Sequence, residues 1–137
     1  MSSLPTRFTD RFGCEYPFAC AGMGFAGETP DLAIAVSTAG GVGAIGVGFV
    51  QPEPLRAVIH AVRRAVGDSP FNINFLTIFD NDGQLQVCAE ERVPIVSFHW
   101  DTRRLATWRC CEMPACRCGS RSAPRLTRNA RPTTASR

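Results

Sequence analysis

The first hundred residues predict an α/β fold with a parallel sheet, and three observations carry that reading. Short apolar runs of strand length alternate with segments of helical periodicity from Phe18 to Phe98, and such alternation implies parallel strands joined by right-handed crossovers. The last run, Val93 to Phe98, is nearly all apolar, as a parallel strand covered on both faces should be. Finally, the pattern stops near Trp100. Residues 1–100 hold six Arg against ten Asp and Glu, a charge of −4, whereas residues 101–137 hold nine Arg against Asp101 and Glu112, a charge of +7. The net +3 of the 137-residue chain therefore describes neither part.

Phe18 to Ala21 reads as a first strand opening into the turn Gly22-Met23-Gly24. Thr29 suits a helix N-cap, Pro30 the first helical position and Asp31 the positive end of the helix dipole. Leu32, Ala33, Val36 and Ala39 give that helix one apolar stripe, and Gly40-Gly41 stops it. Val42 to Gly46 is a second strand of small residues. Pro52 begins a longer helix in which Leu55, Val58, Ile59, Val62 and Val66 recur at 3.6 spacing, ended by Gly67-Asp68. Phe71 to Leu76 is the third strand, with Asn72 and Asn74 on one face. Asp80 to Gly83 is a turn, Gln84 to Arg92 a short helix, and Val93 to Phe98 the fourth strand, with Pro94 at its start.

Both an open doubly wound sheet and the first half of a (β/α)8 barrel fit this order. In either, the carboxyl ends of the strands build the ligand site. Gly22 to Gly24, Gly46 to Gly48, Asn74 and His99 gather there.

Residues 101–137 show no periodicity able to bury a face, and their Arg, Ser, Thr and Pro content fits a disordered basic tail. Cys110, Cys111, Cys116 and Cys118 lack the paired C-x2-C spacing of tetrahedral zinc sites, and no His follows them, so no metal is expected. The Arg run could hold nucleic acid or anionic lipid electrostatically, but it lacks aromatic interleaving beyond Trp108, and no specific nucleic acid is expected. The chain has no Lys, so every basic residue is an Arg with GC-rich codons. Read from the third codon base, Trp108 to Arg109 gives Ala, Cys110 to Cys111 gives Leu and Met113 to Pro114 gives Ala. The shifted frame then permits a helix, a glycine stop, a short apolar strand and another helix. Residues 1–100 are thus expected to be the folded α/β portion, and residues 101–137 a tail translated in a shifted frame.

Met1 to Phe12 has no signal-peptide core, and no apolar run reaches 18 residues. Seven Cys in no regular framework fit reduced thiols, so the expectation is a cytoplasmic protein away from membranes. Cys14, Cys20 and Cys88 have no basic neighbour in sequence and read as packing residues. His60 reads as a surface histidine on a helix flank.

Five segments in order carry a family resemblance: Thr6-Arg7-Phe8 through Tyr16-Pro17, Ala21 to Gly24, Ala39 to Gly43, Pro70 to Phe75, and Val96 to His99. Together they resemble the nitronate monooxygenase family, formerly called 2-nitropropane dioxygenases, over roughly residues 6–100. The resemblance implies the N-terminal half of a TIM barrel, about four parallel strands and three helices. It implies FMN as cofactor and the oxidation of alkyl nitronates by molecular oxygen. Gly22, Met23 and Gly24 match the segment that approaches the flavin ring, and Asn74 matches an Asn whose side chain bonds it. Glycine permits close backbone approach, and an amide side chain both donates and accepts. Read from the residues alone, Met23 also fits a core filler and Asn74 a cap on strand-end backbone groups. Gly22 stands where the family commonly has Pro, which implies a looser turn.

The family's catalytic His and phosphate-binding loops lie downstream of the break, so no catalytic residue is assigned and a weakly active or inactive chain is expected. A barrel of this kind takes about 250 residues, and a half-barrel leaves open sheet edges that favour self-association. Two other readings share these residues. One is an FMN-dependent enoyl-thioester reductase on the same scaffold, and the other is a non-enzymatic binding protein using its basic tail.

Overall fold

A computed structural model describes residues 4–24 and 27–99. Residues 101–137, expected above to be a disordered and frame-shifted tail, lie outside the described residues. The elements are α1 (Arg7–Phe12), α2 (Pro30–Thr38), β1 (Gly43–Val47), α3 (Pro52–Val66), β2 (Phe71–Leu76), α4 (Asp82–Glu90) and β3 (Ile95–His99). The strands form one parallel sheet in the order β1-β2-β3.

The expected first strand is reduced to a bridge. Ala19 pairs with Val42 in the parallel sense, Cys20 N–H donates to Val42 O at 2.9 Å and Val42 N–H to Phe18 O at 2.9 Å. The ladder does not extend toward the strand end, because Gly46 N–H donates instead to Gly27 O at 3.0 Å. The chain after Met23 has turned back and taken the place a longer strand would fill.

α1 is an element the periodicity did not predict. Its start is a capping box in which Thr9 N–H donates to Thr6 Oγ1 at 3.2 Å and Thr6 N–H to Thr9 Oγ1 at 2.7 Å. Gly13, at φ 70°, ends it. α2 and α3 both begin with Pro at the first position, and Thr29 occupies the N-cap of α2 as expected, with extended backbone and no side-chain cap bond. Gly40 and Gly67 close these helices at φ 91° and 60°. α4 starts at Asp82, earlier than expected, because Asp80 Oδ1 accepts from Asp82 N–H at 3.2 Å and turns the chain there. β3 starts at Ile95 because Pro94 has no N–H to give the ladder.

The core lies between the sheet and its helices. Leu55, Ile59 and Val62 of α3 are fully buried against Ile45, Val47, Ile73 and Phe75 of the strands. Each contributes roughly 1.5–3 kcal/mol through burial. α2 lies so close to β1 that a Cβ on Gly43 would overlap the Ala33 carbonyl oxygen. Ser37, on α2, donates to Pro70 O at 2.8 Å and accepts from Gly43 N–H at 3.0 Å, tying the helix end to the starts of β1 and β2.

β2 alternates in burial, with Phe71, Ile73 and Phe75 under the helices and Asn72, Asn74 and Leu76 half-buried on the other face. The register sets Gly46, Asn74 and Ser97 in one row and Ala44, Asn72 and Ile95 in the next. In a barrel this second face lines the interior. Among the described residues no helix is long and apolar enough to cross a membrane.

Candidate functional site

At the carboxyl ends of the strands, Gly22 lies directly on Asn74. A Cβ at Gly22 would overlap Asn74 Cβ and stand 2.5 Å from its Cγ and Oδ1. The looser turn expected for Gly22 is therefore corrected, because the space a side chain would take there is filled by Asn74. The Met23 backbone is held as closely. A Cβ on Gly46 would lie 2.5 Å from Met23 O, and Gly27 N–H donates to that oxygen at 3.0 Å. A Cβ added to Gly24, by contrast, would meet nothing within 4 Å. Gly22, the Met23 backbone, Gly46 and Asn74 are thus brought together, while a Cβ on Gly24 would meet nothing within 4 Å among the described residues and Met23 is 40% exposed. Met23 is thus not part of the buried core among the described residues.

Asn74 donates from Nδ2 to Ser97 Oγ at 2.9 Å, and Asn72 does the same at 2.9 Å. The two amides converge on one hydroxyl between β2 and β3. The Asn72 Oδ1 atom is buried and has no partner among the described residues. Asn74 bonds a side chain and not a backbone group, so the strand-end capping alternative does not describe it. Ser97 was legible in the sequence only as part of the Val96 to His99 segment, because its partners follow from strand register. Asn81, buried in the loop after β2, was read only as part of a turn cluster. Its Nδ2 donates to Leu76 O at 2.9 Å and Phe79 O at 3.0 Å, fixing the strand end from below.

His99 is exposed at the end of β3, two residues beyond Ser97 and in register with Leu76. Its carbonyl accepts from Thr77 N–H at 3.2 Å and Thr77 Oγ1 at 3.0 Å. His60 stands apart on α3, where Nε2 meets Glu91 Oε2 at 2.8 Å. Cys88 is buried, and burial pushes the Cys14 thiol above its ordinary pKa, which suits packing residues. Among the described residues no group of three or more His, Cys, Asp or Glu could hold a metal ion.

Two large apolar side chains stand exposed after the strand ends. Phe49 follows β1 at 75% exposure and Ile78 follows β2 at 54%. Phe49 also meets the Phe79 ring, with centroids 5.0 Å apart. The sequence reading missed this apolar margin, since neither residue belongs to a periodic segment. The site thus joins an open glycine backbone, an amide oxygen and an apolar rim. Such a set offers a ligand one polar edge and one apolar face. Among the described residues, the ionisable groups at these strand ends include the exposed His99 and the Glu28 carboxylate, whose Oε1 a Cβ on Gly48 would meet at 2.8 Å.

Parts of the chain are similar to known proteins. A nitronate monooxygenase from Pseudomonas aeruginosa is 44% identical over 71 residues, which are 52% of this chain and 20% of that protein. One from Paraburkholderia phytofirmans is 52% identical over 47 residues, 34% of this chain and 13% of that protein. The chain therefore spans about a fifth or less of the length of these relatives. FabK from Thermotoga maritima superposes with a TM-score of 0.68 at 38% identity, over 76% of this chain and 35% of that one. Nitroalkane oxidase from Streptomyces ansochromogenes superposes with a TM-score of 0.59 at 23% identity, over 74% and 39%, and shows the shared fold alone. The described residues are accordingly the N-terminal part of a TIM barrel. The family profile described as Nitronate monooxygenase matches residues 5–91, well over half of the sequence, and the chain belongs to that family.

Proposed function

We propose that residues 4–99 form the ring-side portion of an FMN site in an oxidoreductase that oxidises alkyl nitronates with molecular oxygen. The observation that carries this reading is the meeting of Gly22 and the Asn74 amide at the strand ends, next to the exposed residues Met23 and Gly24. When bound, FMN supplies the redox chemistry, taking electrons from the nitronate and passing them to oxygen. The chain's own residues bind and orient. Gly24 leaves room for the ring to approach the backbone, Asn74 Oδ1 accepts a hydrogen bond from its edge, and Met23 and Phe49 keep water from its face. The described residues offer this ring side, and the phosphate contacts belong to the second half of the barrel in the reading given above.

The proposal extends to residues 101–137, read as translated out of frame, and to a cytoplasmic setting. The 137-residue chain is then expected to bind FMN weakly and to turn over nitronate slowly or not at all. Two samples test this: the chain itself, and a chimera joining residues 1–99 to the carboxyl-terminal part of the Pseudomonas aeruginosa relative. The chimera should turn yellow with FMN and consume oxygen when given an alkyl nitronate. A folded chimera that neither binds FMN nor consumes oxygen overturns the proposal, and rapid turnover by the native chain overturns its inactivity. The nucleotides around codons 98–110 decide the frame.

The exposed Phe49 and Ile78 favour a second reading, in which the substrate carries a long acyl chain, as for an FMN-dependent enoyl-thioester reductase. That enzyme needs a nicotinamide donor. Anaerobic bleaching of the chimera's flavin by NADH or NADPH, without nitronate, supports it.

A further inference from the structure

We infer that Ser97 is a positioning residue that turns the Asn74 amide so that its Oδ1 faces the ring site as a hydrogen-bond acceptor. The inference rests on the ring-site reading above. It begins with a limit on donors. A serine hydroxyl has one hydrogen and two acceptor directions, and two amide groups lie 2.9 Å from Ser97 Oγ. One hydrogen serves one amide oxygen at most, so at least one of the two Asn side chains must donate to Ser97.

The surroundings decide between the arrangements. Turning Asn72 over would put its NH2 group, with two hydrogens, where a single buried oxygen now lacks a partner. Unpaired buried N–H groups are rarer than under-used carbonyls, so Asn72 donates. Asn74 is in register with Ser97 and donates across the ladder. Its Oδ1 is thereby directed to the Gly22 side, where a Cβ would stand 2.5 Å away, so that a glycine at that position is what leaves the oxygen room. Ser97 accepts twice and keeps its own hydrogen free to donate.

The result is a site that selects a donor at the ring edge. Oxidised flavin carries one N–H, at the imide nitrogen of its pyrimidine end, and that group complements an outward amide oxygen. A ligand edge bearing acceptors alone would face the lone pairs of Oδ1 and be disfavoured.

The test has two independent readouts on the full chain. The first needs no flavin: side-chain amide NMR of the 15N-labelled protein. The Asn74 NH2 protons should exchange with solvent more slowly than those of an exposed Asn in the wild type. In Ser97→Ala that protection should be lost and both the Asn72 and Asn74 signals should shift. Ser97→Thr, which keeps the hydroxyl, should restore protection, and Asn72→Ala should leave the Asn74 signal protected. Fast exchange of the Asn74 protons in the wild type, or an Asn74 signal unmoved in Ser97→Ala, overturns the assignment. If Ser97→Ala does not fold, the wild-type and Asn72→Ala measurements decide the matter alone.

The second readout is FMN fluorescence quenching, compared with N3-methylated FMN. Ser97→Ala should weaken FMN binding about 5-fold, the loss expected for one hydrogen bond, and N3-methylation should weaken binding to the wild type similarly. Equal affinity for the two flavins overturns the acceptor role of Asn74. If the wild type binds neither flavin, the ring-site reading fails for this chain, while the NMR readout still decides the role of Ser97.

Discussion

Replacing Gly22 with Ala tests the contact on which the site is built. The added Cβ would overlap Asn74 Cβ, an atom fixed by the β2 backbone and unable to swing aside. Either the Gly22 segment lifts from the sheet or β2 shifts, and overpacking of this kind costs typically 1–3 kcal/mol. In a domain of this size 1 kcal/mol moves the melting temperature by about 4–8 °C. Urea denaturation followed by circular dichroism should therefore show a lower midpoint with an unchanged slope.

The partner variants make the argument specific. Asn74→Ala keeps the offending Cβ and should not rescue Gly22→Ala, whereas Asn74→Gly removes it and should. The cycle of Gly22→Ala with Asn74→Gly should give a coupling of about 0.5–3 kcal/mol, as for residues in contact. Gly22→Pro should destabilise for the same reason. A change below about 0.5 kcal/mol in Gly22→Ala, or equal rescue by Asn74→Ala and Asn74→Gly, refutes the packing described here.

Three further outcomes are expected. Arg56 hydrogen-bonds Glu90 and Glu91 at 2.6 Å each and holds both carboxyls below their ordinary pKa. The folded-state values are depressed, so the stabilisation is present above the unfolded carboxylate pKa and is lost as pH falls through the folded one. Acid titration of stability should be shallower in Glu91→Gln than in the wild type. Arg92 adopts φ 50° after α4. Since a left-handed L-residue costs roughly 1–2 kcal/mol and glycine loses about 0.5–1 in chain entropy, Arg92→Gly should leave stability equal or raise it by up to about 1.5 kcal/mol in urea titration. Brief iodoacetamide treatment read by mass spectrometry should label Cys20 before Cys14, whose thiol burial raises in pKa, and Cys88 last.

The parts legible in the sequence are those with local causes. α3 follows from Leu55, Ile59, Val62 and Val66 at helical spacing, and all four are buried. β2 follows from alternation, and Asn72 and Asn74 do share a face. What escaped needed knowledge of pairing. α1 has six residues and rests on Thr6 and Thr9, a Thr-x-x-Thr box without the Glu or Gln that usually marks one. The meeting of Asn72, Asn74 and Ser97 depends on a register between residues 23 and 25 positions apart. The full extent of the first strand was overestimated because the apolar run Phe18 to Ala21 reports burial, while its pairing is limited by the turn after Met23.

The two faces of the sheet differ in chemistry, and the proposed division of stability from binding between them is itself testable. On the helix side the register rows read Ile45, Ile73, Val96 and Val47, Phe75, Phe98, all apolar, with the Phe75 and Phe98 rings stacked at 5.9 Å. On the other side they read Ala44, Asn72, Ile95 and Gly46, Asn74, Ser97. Polar groups there return little hydrophobic energy, about 1 kcal/mol for a hydrogen bond, so their presence has to be explained by what they contact. Ile73→Ala should cost about 2–5 kcal/mol through the cavity it leaves and should weaken ligand binding only as far as the chain unfolds. Asn74→Ala, one position along the same strand, should cost about 1 kcal/mol yet remove the amide oxygen from the ring site. Measuring urea midpoint and FMN quenching for both variants separates the roles. If Asn74→Ala unfolds the chain as Ile73→Ala does, or leaves FMN affinity untouched, the interior row is structural and the ring site lies elsewhere.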